Sequence, residues 1–170
     1  MVITMGNDMT VPCGDGFINL RVGAIIHKDG KILMAGNRVR PDYLYSVGGR
    51  IQFGETAEEA VVREVLEETG TRMEVDRMAF VHENYFYGDV PANAGKLIYE
   101  ISFYFFMKVP EDFAPMCRST TDDRQEEFLR WISPDDPIRY YPEFFRTELT
   151  NPSAQVRYFR TDERDPRPIA

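Results

Sequence analysis

Two apolar runs near the start of the chain predict its first pair of strands. Residues 17–27 (FINLRVGAIIH) and 31–35 (KILMA) are rich in β-branched and apolar side chains, which favour extended backbone. The intervening residues 28–30 (KDG) contain an Asp-Gly pair, which is typical of a tight hairpin turn. We therefore expect a β-hairpin here, followed by a short strand at 43–47 (YLYSV).

The second half of the chain shows longer runs of the same kind. Residues 73–87 and 97–109 carry strand-favouring side chains on either side of a turn-like GDVPANAG, so they predict a second antiparallel pair. Residues 126–132 (EEFLRWI) predict a further strand, residues 134–149 a C-terminal helix, and VRYF near residue 156 a last short strand. Together these elements predict a mixed α+β fold.

One helix is strongly marked, over residues 55–70 (ETAEEAVVREVLEETG). Thr56 followed by Glu59 fits a capping box at its start, and Gly70 fits the left-handed residue that ends it. At about 100° per residue, four side chains form one apolar face: Val61, Val62, Val65 and Leu66. The helix is therefore expected to be amphipathic, with an acidic edge beside the apolar face.

The acidic edge is unfavourable by the physics of an isolated helix. Glu64, Glu67 and Glu68 gather at the end where the helix dipole is already negative, and each such conflict costs roughly 0.3 to 1 kcal/mol. One explanation is a solvated acidic face, relieved by Arg63 pairing with Glu67 four positions on. The other is that a divalent cation such as Mg²⁺ binds the carboxylate oxygens and cancels their repulsion.

Length and charge narrow the classes of function. A chain of 170 residues with 43% hydrophobic side chains suffices for one core, so we expect a single domain over residues 1–170. The net charge of −8 disfavours nucleic-acid polymers and anionic membranes as partners. No apolar run approaches the roughly 20 residues that span a bilayer, and the N-terminus lacks a signal-peptide pattern, so a cytoplasmic location is expected. Cys13 and Cys117 belong to no metal-binding pattern and are expected to be free thiols.

The spacing of charged residues around the helix carries a more specific signal. From Gly49 the sequence GRIQFGETAEEAVVREVLEETGT resembles the signature of the Nudix hydrolases, G-x5-E-x7-R-E-U-x-E-E-x-G-U, in which U is a bulky apolar residue. Eight of the nine specified positions match, and Thr71 departs from the apolar residue expected at the ninth. The resemblance extends from this box to the strands around it, over about residues 17–160.

The resemblance implies an α/β/α sandwich around a mixed, largely antiparallel-paired sheet. It also implies that a nucleoside diphosphate linked to another moiety, X, is hydrolysed with Mg²⁺ or Mn²⁺ as cofactor. It assigns four residues of the box to the metal site: Gly49, Glu64, Glu67 and Glu68. By the same resemblance, Glu64 or a later acid helps to deprotonate the attacking water, Arg63 holds the glutamates by ion pairing, and Glu55 orients the loop.

A carboxylate outside the box is a further candidate for the metal site. In some Nudix enzymes an acid outside the box completes the metal shell or acts as the base. Glu100 lies among apolar and aromatic neighbours in LIYEISFYFF and is the first candidate for that role, with Glu126 or Glu127 in reserve. A solvent-facing strand residue is an equal alternative for Glu100.

Three residues are candidates for binding the substrate. Arg38 and Arg40, just before the box, would grip phosphate oxygens, or would be simple loop charges. Tyr85, in the ENYFY run, would stack on a base, or would pack in the core or an interface. His27 and His82 have no partner at metal-ligand spacing, so we expect them to serve structure or to face solvent.

Two functional hypotheses follow from the sequence. The first is a metal-dependent pyrophosphohydrolase acting on a small-molecule phosphoanhydride, which the complete set of box acids favours. The second is a Nudix-fold nucleotide-binding or regulatory module that does not hydrolyse its ligand. The box does not identify X or the base, because folds and sites host several specificities. The aromatic strand at 103–106 leaves a homodimer open.

Overall fold

A computed structural model of the chain describes residues 8–38, 40–89, 93–116 and 127–164, and in this part of the chain ten strands and two helices are formed. The strands are β1 (Thr10–Cys13), β2 (Gly16–Ile25), β3 (His27–Lys28), β4 (Lys31–Asn37), β5 (Leu44–Ser46), β6 (Glu74–Tyr87), β7 (Leu97–Lys108), β8 (Glu127–Ile132), β9 (Tyr140–Tyr141) and β10 (Arg157–Asp162). The helices are α1 (Ala57–Thr69) and α2 (Phe145–Glu148).

The first sheet has the strand order β1-β2-β7-β6-β10. Its β6 and β7 form the antiparallel pair expected from the sequence, with Tyr87 opposite Leu97 at the hairpin end. Strands β2 and β7 run parallel, as do β10 and β6, so the sheet is mixed. Strand β1, which the sequence reading missed, pairs with the start of β2.

The second sheet has the order β3-β4-β5-β9, and β8 pairs with the other edge of β4. The expected hairpin forms between β3 and β4. Asp29 and Gly30 both have positive φ, at 52° and 74°, which is the backbone of the tight turns that match strand twist. The α+β class predicted from the sequence is confirmed, with two mixed sheets where one sheet was expected.

Helix α1 begins and ends as its sequence predicts. The Thr56 hydroxyl accepts a hydrogen bond from the Glu59 amide, and the Glu59 carboxylate accepts one from the Thr56 amide. Gly70 has φ of 74° and donates its N–H to Leu66 O. These two caps satisfy backbone groups that a helix end leaves unpaired.

The buried face of α1 differs from the predicted one. Val61 and Val65 are buried as expected, but Leu66 is 41% exposed. Glu68 is only 6% exposed, so a carboxylate occupies a buried position beside the apolar face. Ala60 is also buried, which lets the helix lie close to the first sheet.

Two apolar cores lie on opposite faces of the first sheet, because neighbouring strand residues point to opposite sides. One core joins α1 to the face that carries Val22 and Phe105. The other joins the opposite face, at Tyr104, to the second sheet and to Phe145 of α2. Helices α1 and α2 therefore pack in different cores, and the second sheet contributes to both, with Leu33 in the core of α1 and Met34 in the core of α2.

The predicted helix at 134–149 is wrong for most of its length, since only Phe145–Glu148 is helical. Pro134, Pro137 and Pro142 interrupt the segment, and proline both lacks the amide donor and disfavours helix at the preceding residue. Tyr140 instead enters β9 and is buried. Among the residues described, no helix is long and apolar enough to cross a membrane.

Candidate active site

The loop before α1 is anchored along the edge of β2. Three backbone hydrogen bonds hold it: Ala24 N to Val47 O at 2.7 Å, Val22 N to Gly49 O at 2.9 Å, and Ile51 N to Leu20 O at 2.9 Å. Because the loop runs along β2 and contacts Glu64 and Glu68, it fixes the acidic side of α1 beside the edge of the first sheet.

Gly49 allows this loop to touch the helix carboxylates. A Cβ atom at position 49 would lie 2.5 Å from Oε1 of Glu64 and 2.7 Å from its Oε2. Contacts this short do not occur, so a Cβ at this position would displace the Glu64 carboxylate. The neighbouring Gly48 amide donates a hydrogen bond to Glu68 Oε1 at 3.0 Å.

Arg63 ties the acidic residues together. Its guanidinium donates two hydrogen bonds to Glu55, at 2.6 and 3.0 Å, and one to Glu64 at 2.6 Å. It also reaches Glu67 at 3.3 Å, which confirms the predicted pair four positions apart, and the Arg50 carbonyl at 3.1 Å. The hydrogen bonds to Glu55, followed by those to Glu64, raise the pKa of Arg63 although its partial burial opposes the shift.

Glu68 is the most buried carboxylate of the cluster. Within the described residues, its Oε2 atom has no hydrogen-bond partner. Burial raises the pKa of Glu68 well above its usual value, and the nearby charges of Glu127 and Glu64 add to the effect. Burial also raises the pKa of Glu64, against the opposing pull of Arg63.

Glu127 brings a fourth carboxylate to this region from the second sheet. It is the first residue of β8, and its Oε1 accepts a 2.6 Å hydrogen bond from the Tyr45 hydroxyl on β5. Burial and this bond raise the pKa of Tyr45, and the charge of Glu68 raises it further, so Tyr45 lies close to both acids. Glu126, the other reserve candidate, lies outside the described residues, as does Cys117.

Glu100 lies on strand β7 of the first sheet. Asn19 Nδ2 donates to its Oε2 at 3.5 Å, and the Ser102 hydroxyl donates to its Oε1 at 3.4 Å. Arg21 Nη1 lies 3.9 Å from Oε2. The sequence reading missed Arg21, although a charged residue in the apolar run FINLRVGAIIH was the signal that could have identified it.

The predicted substrate-binding arginines lie on the loop after β4. Arg40 pairs with Asp89 at 2.8 Å, and that carboxylate raises the pKa of Arg40. The ion pair joins this loop to the end of β6. Arg38 is exposed at the start of the same loop.

Tyr85 is not brought to the carboxylates. Its strand neighbour Asn84 pairs with Glu100, whereas Tyr85 pairs with Tyr99, so the two tyrosines point to the opposite face of the sheet. Their rings lie 4.5 Å apart, and the Arg164 guanidinium lies 3.9 Å from the Tyr85 ring. Both tyrosines line an open cleft of about 810 Å³ at the end of the sheet.

The two histidines lie away from the acidic cluster or at the surface. His82 is buried, and its Nε2 lies 2.9 Å from the Thr161 hydroxyl. Burial lowers the pKa of His82 to about 4, so it is neutral near pH 7. His27 is exposed in β3. The free thiol of Cys13 is exposed in β1, in agreement with the sequence.

The donor set fits a hard divalent cation. Within the described part of the chain, no three acidic, histidine or cysteine side chains already converge as an ion-binding group. Arg63 draws Glu64 and Glu67 toward itself. Yet Glu68 Oε2 is buried without a hydrogen-bond partner, and carboxylate oxygens are the ligands that Mg²⁺ and Mn²⁺ take.

Comparisons with known proteins identify the family of this chain. The model of the NUDIX domain family matches residues 18–152. The chain is 27% identical over 122 residues to the CTP pyrophosphohydrolase of Escherichia coli (strain K12), covering 70% of this chain and 78% of that protein. It is 42% identical over 65 residues to the ADP-ribose pyrophosphatase of Methanocaldococcus jannaschii, covering 37% of this chain and 38% of that protein.

The fold also matches a solved structure, the MutT NUDIX hydrolase of Burkholderia pseudomallei. The TM-score is 0.59 and the sequence identity 22%, over 80% of this chain and 98% of the other. The family match covers most of the chain and includes the whole box and the acidic cluster. The chain therefore belongs to the Nudix hydrolase family.

Proposed function

We propose that this chain is a divalent-metal-dependent hydrolase that cleaves the pyrophosphate linkage of a nucleoside diphosphate linked to X. Family membership supports the class of reaction, since similar proteins are named for pyrophosphohydrolysis of CTP and of ADP-ribose. The observation that carries the metal dependence is the buried Glu68 carboxylate, whose Oε2 has no hydrogen-bond partner among the described residues. A buried anionic oxygen is costly unless a cation or donor compensates it.

The proposed metal ligands are those of the box: Glu64, Glu67, Glu68 and the carbonyl of Gly49. The Gly49 oxygen already accepts the amide of Val22, and a carbonyl oxygen has a second lone pair. When bound, Mg²⁺ or Mn²⁺ would lower the pKa of a coordinated water and offset charge on the pyrophosphate.

The protein's own groups would then perform three tasks. Arg63 holds Glu64 in place through the 2.6 Å hydrogen bond and fixes the loop through Glu55. Glu127, whose charge acts directly on Glu68, is the proposed acceptor of the proton from the attacking water. Glu100, the first candidate by sequence, is instead paired with Arg21 on the sheet.

The substrate contacts predicted outside the acidic cluster remain proposals. Arg38 and Arg40 are kept as phosphate-binding candidates, and Arg40 would have to exchange Asp89 for a phosphate oxygen. Tyr85 would need a substrate group that extends to the far face of the first sheet. The single domain and the cytoplasmic location also remain predictions, and the question of a homodimer remains open.

A substrate screen tests the proposal. The protein would be incubated with nucleoside diphosphate-X compounds, including CTP and ADP-ribose, with Mg²⁺, with Mn²⁺, or with chelator, and the products identified by mass. We expect metal-dependent release of phosphate, pyrophosphate or a nucleoside monophosphate. Glu68→Gln should abolish this release, whereas Glu58→Gln, at an exposed position on the same helix, should not. Saturable nucleotide binding without turnover across the whole panel would instead support the binding module.

A further inference from the structure

Arg21 occupies a position on the floor of the site that the box does not include. It lies on β2, opposite Ser102 of β7, and Asn19 lies opposite Glu100 in the same register. Paired residues of parallel strands point to the same face, so Arg21, Asn19 and Glu100 share the face that carries Tyr104. The next residue, Val22, points into the core beneath α1 and anchors the loop at Gly49.

The surroundings of Arg21 are acidic. Burial alone would lower the pKa of Arg21, but the charges of Glu100, Tyr104, Glu64 and Glu68 outweigh it, so the pKa is raised. The backbone of Arg21 also forms a β-bridge with Arg50, next to Gly49, whose backbone contacts Glu64, so Arg21 lies beside the loop that leads to the helix carboxylates. Among the residues described, Glu100 is the carboxylate that forms an ion pair with Arg21, at 3.9 Å.

The Arg21 guanidinium is available to a ligand. Its side chain is 36% exposed, and the 3.9 Å approach to Glu100 is too long for a hydrogen bond. The contacts that hold Glu100, at 3.5 Å from Asn19 and 3.4 Å from Ser102, are also long.

The charge balance of the cluster requires a further cation. Glu55, Glu64, Glu67 and Glu68 carry four formal negative charges, against two positive charges on a divalent metal and one on Arg63, which donates hydrogen bonds to Glu55, Glu64 and Glu67. A diphosphate entering this site brings additional negative charge that neither Arg63 nor the metal fully offsets. Arg21 is placed to supply that charge, and a planar guanidinium matches two phosphate oxygens.

The geometry points to Arg21 as a phosphate-binding residue of this site, with Glu100 as the positioning residue that holds its guanidinium toward the helix glutamates. The inference rests on the proposed function for the identity of the ligand, a metal-bound diphosphate. It also gives Glu100 a role that needs neither metal ligation nor proton transfer.

Binding of a non-hydrolysable diphosphate tests this without turnover. The affinity for α,β-methylene-ADP in the presence of Mg²⁺ would be measured by calorimetry for the wild type, Arg21→Ala, Arg21→Lys and Arg160→Ala. We expect Arg21→Ala to bind the analogue about 10- to 100-fold more weakly than the wild type. Arg21→Lys should have an affinity between the two, because lysine keeps the positive charge but lacks the planar guanidinium that donates to two oxygens at once. Arg160→Ala, at an exposed position on β10, should bind as the wild type does.

Glu100→Gln identifies the positioning role. It should weaken binding of the analogue several-fold in the wild-type background and should have no further effect in the Arg21→Ala background, because its only route to the ligand is through Arg21. Equal effects in both backgrounds would overturn the assignment of Glu100.

Three outcomes bear on Arg21 itself. Mn²⁺ binding without nucleotide, followed by electron paramagnetic resonance, should be unchanged in Arg21→Ala, and Arg21→Gln replaces that variant if it does not fold. Unchanged affinity for the analogue in the Arg21 variants, or no measurable binding by the wild type, would overturn the inference. Failure of the wild type to hydrolyse any compound of the substrate screen, with analogue binding intact, would instead count against the proposed function alone.

Discussion

Gly49 and Glu64 are in direct contact, because the backbone of residue 49 passes beneath the carboxylate of residue 64. A Cβ at position 49 would lie 2.6 Å from Cδ of Glu64. Moving the carboxylate would disturb the 2.6 Å hydrogen bond that its Oε1 accepts from Arg63. The first glycine of the box is thus explained by the space that a glutamate of the helix requires.

Gly49→Ala should therefore displace Glu64 and weaken metal binding by about 10-fold or more, as loss of a supporting contact around a metal ligand does. The measurement is Mn²⁺ affinity by electron paramagnetic resonance. Gly30→Ala is the matched control, since Gly30 has positive φ but nothing within 4 Å of an added Cβ. The control should lose about 1 kcal/mol of stability and keep its metal affinity. Equal metal affinity in Gly49→Ala and the wild type would contradict the contact.

Arg63 should contribute to stability as well as to the site, because it is only 21% exposed and binds several acceptors. We expect Arg63→Ala to lower the free energy of unfolding by about 2 to 4 kcal/mol, since it leaves half-buried carboxylates without their partner. Lys108→Ala removes an exposed ion pair with Glu74 and should cost less than about 1 kcal/mol. Urea denaturation compares the two. A loss no larger for Arg63→Ala than for Lys108→Ala would show that the network is not stabilising.

His82 should make the fold sensitive to acid. Its pKa is lowered to about 4 in the fold, from about 6.5 in an unfolded chain. The unfolded state then binds the proton more readily, so stability contributed by this residue is full above pH 6.5 and is lost as the pH falls toward 4. The total is on the order of 3 kcal/mol at most. The free energy of unfolding measured from pH 7.5 to 4.5 should fall less steeply in His82→Gln than in the wild type, whereas His27→Gln should follow the wild type. Parallel curves for all three proteins would refute this.

The face that α1 buries is open to a direct test. Val65 is fully buried and Leu66 is 41% exposed, although both were expected on the apolar face. Val65→Ala should destabilise the protein by about 1 to 3 kcal/mol through the cavity that it leaves, and Leu66→Ala by about 0.5 kcal/mol or less. Chemical denaturation of both variants provides the measurement. A larger loss for Leu66→Ala would mean that the helix is rotated relative to the structure described here.

Local signals in the sequence were sufficient for the elements that are specified locally. The Thr56 and Glu59 box, the positive-φ turn at Asp29 and Gly30, and the β6–β7 pair all depend on neighbouring residues, and each formed as predicted. The helix predicted at 134–149 is wrong for most of its length, because prolines within the segment break a helix whatever its periodicity.

The arrangement of the site depended on contacts between distant residues. Periodicity placed Glu68 on the acidic edge of the helix, whereas its burial and its hydrogen bond from Gly48 depend on a loop that lies 20 residues away in the sequence. Likewise, Glu127 and Arg21 approach the helix only because two sheets meet there, and no pattern within either strand encodes that distance. Tyr85 illustrates the same limit, since a shift of one residue along β6 decides which face of the sheet it occupies.

Direct measurement of Mn²⁺ binding by the wild type, Glu68→Gln and Glu58→Gln tests the central claim, that the buried carboxylate of Glu68 exists to hold a cation. The account predicts that Glu68→Gln binds the ion at least about 10-fold more weakly while staying as stable as the metal-free wild type, because glutamine removes a buried charge without changing shape. Glu58→Gln should bind as the wild type does. Wild-type affinity for Mn²⁺ in Glu68→Gln would contradict the account.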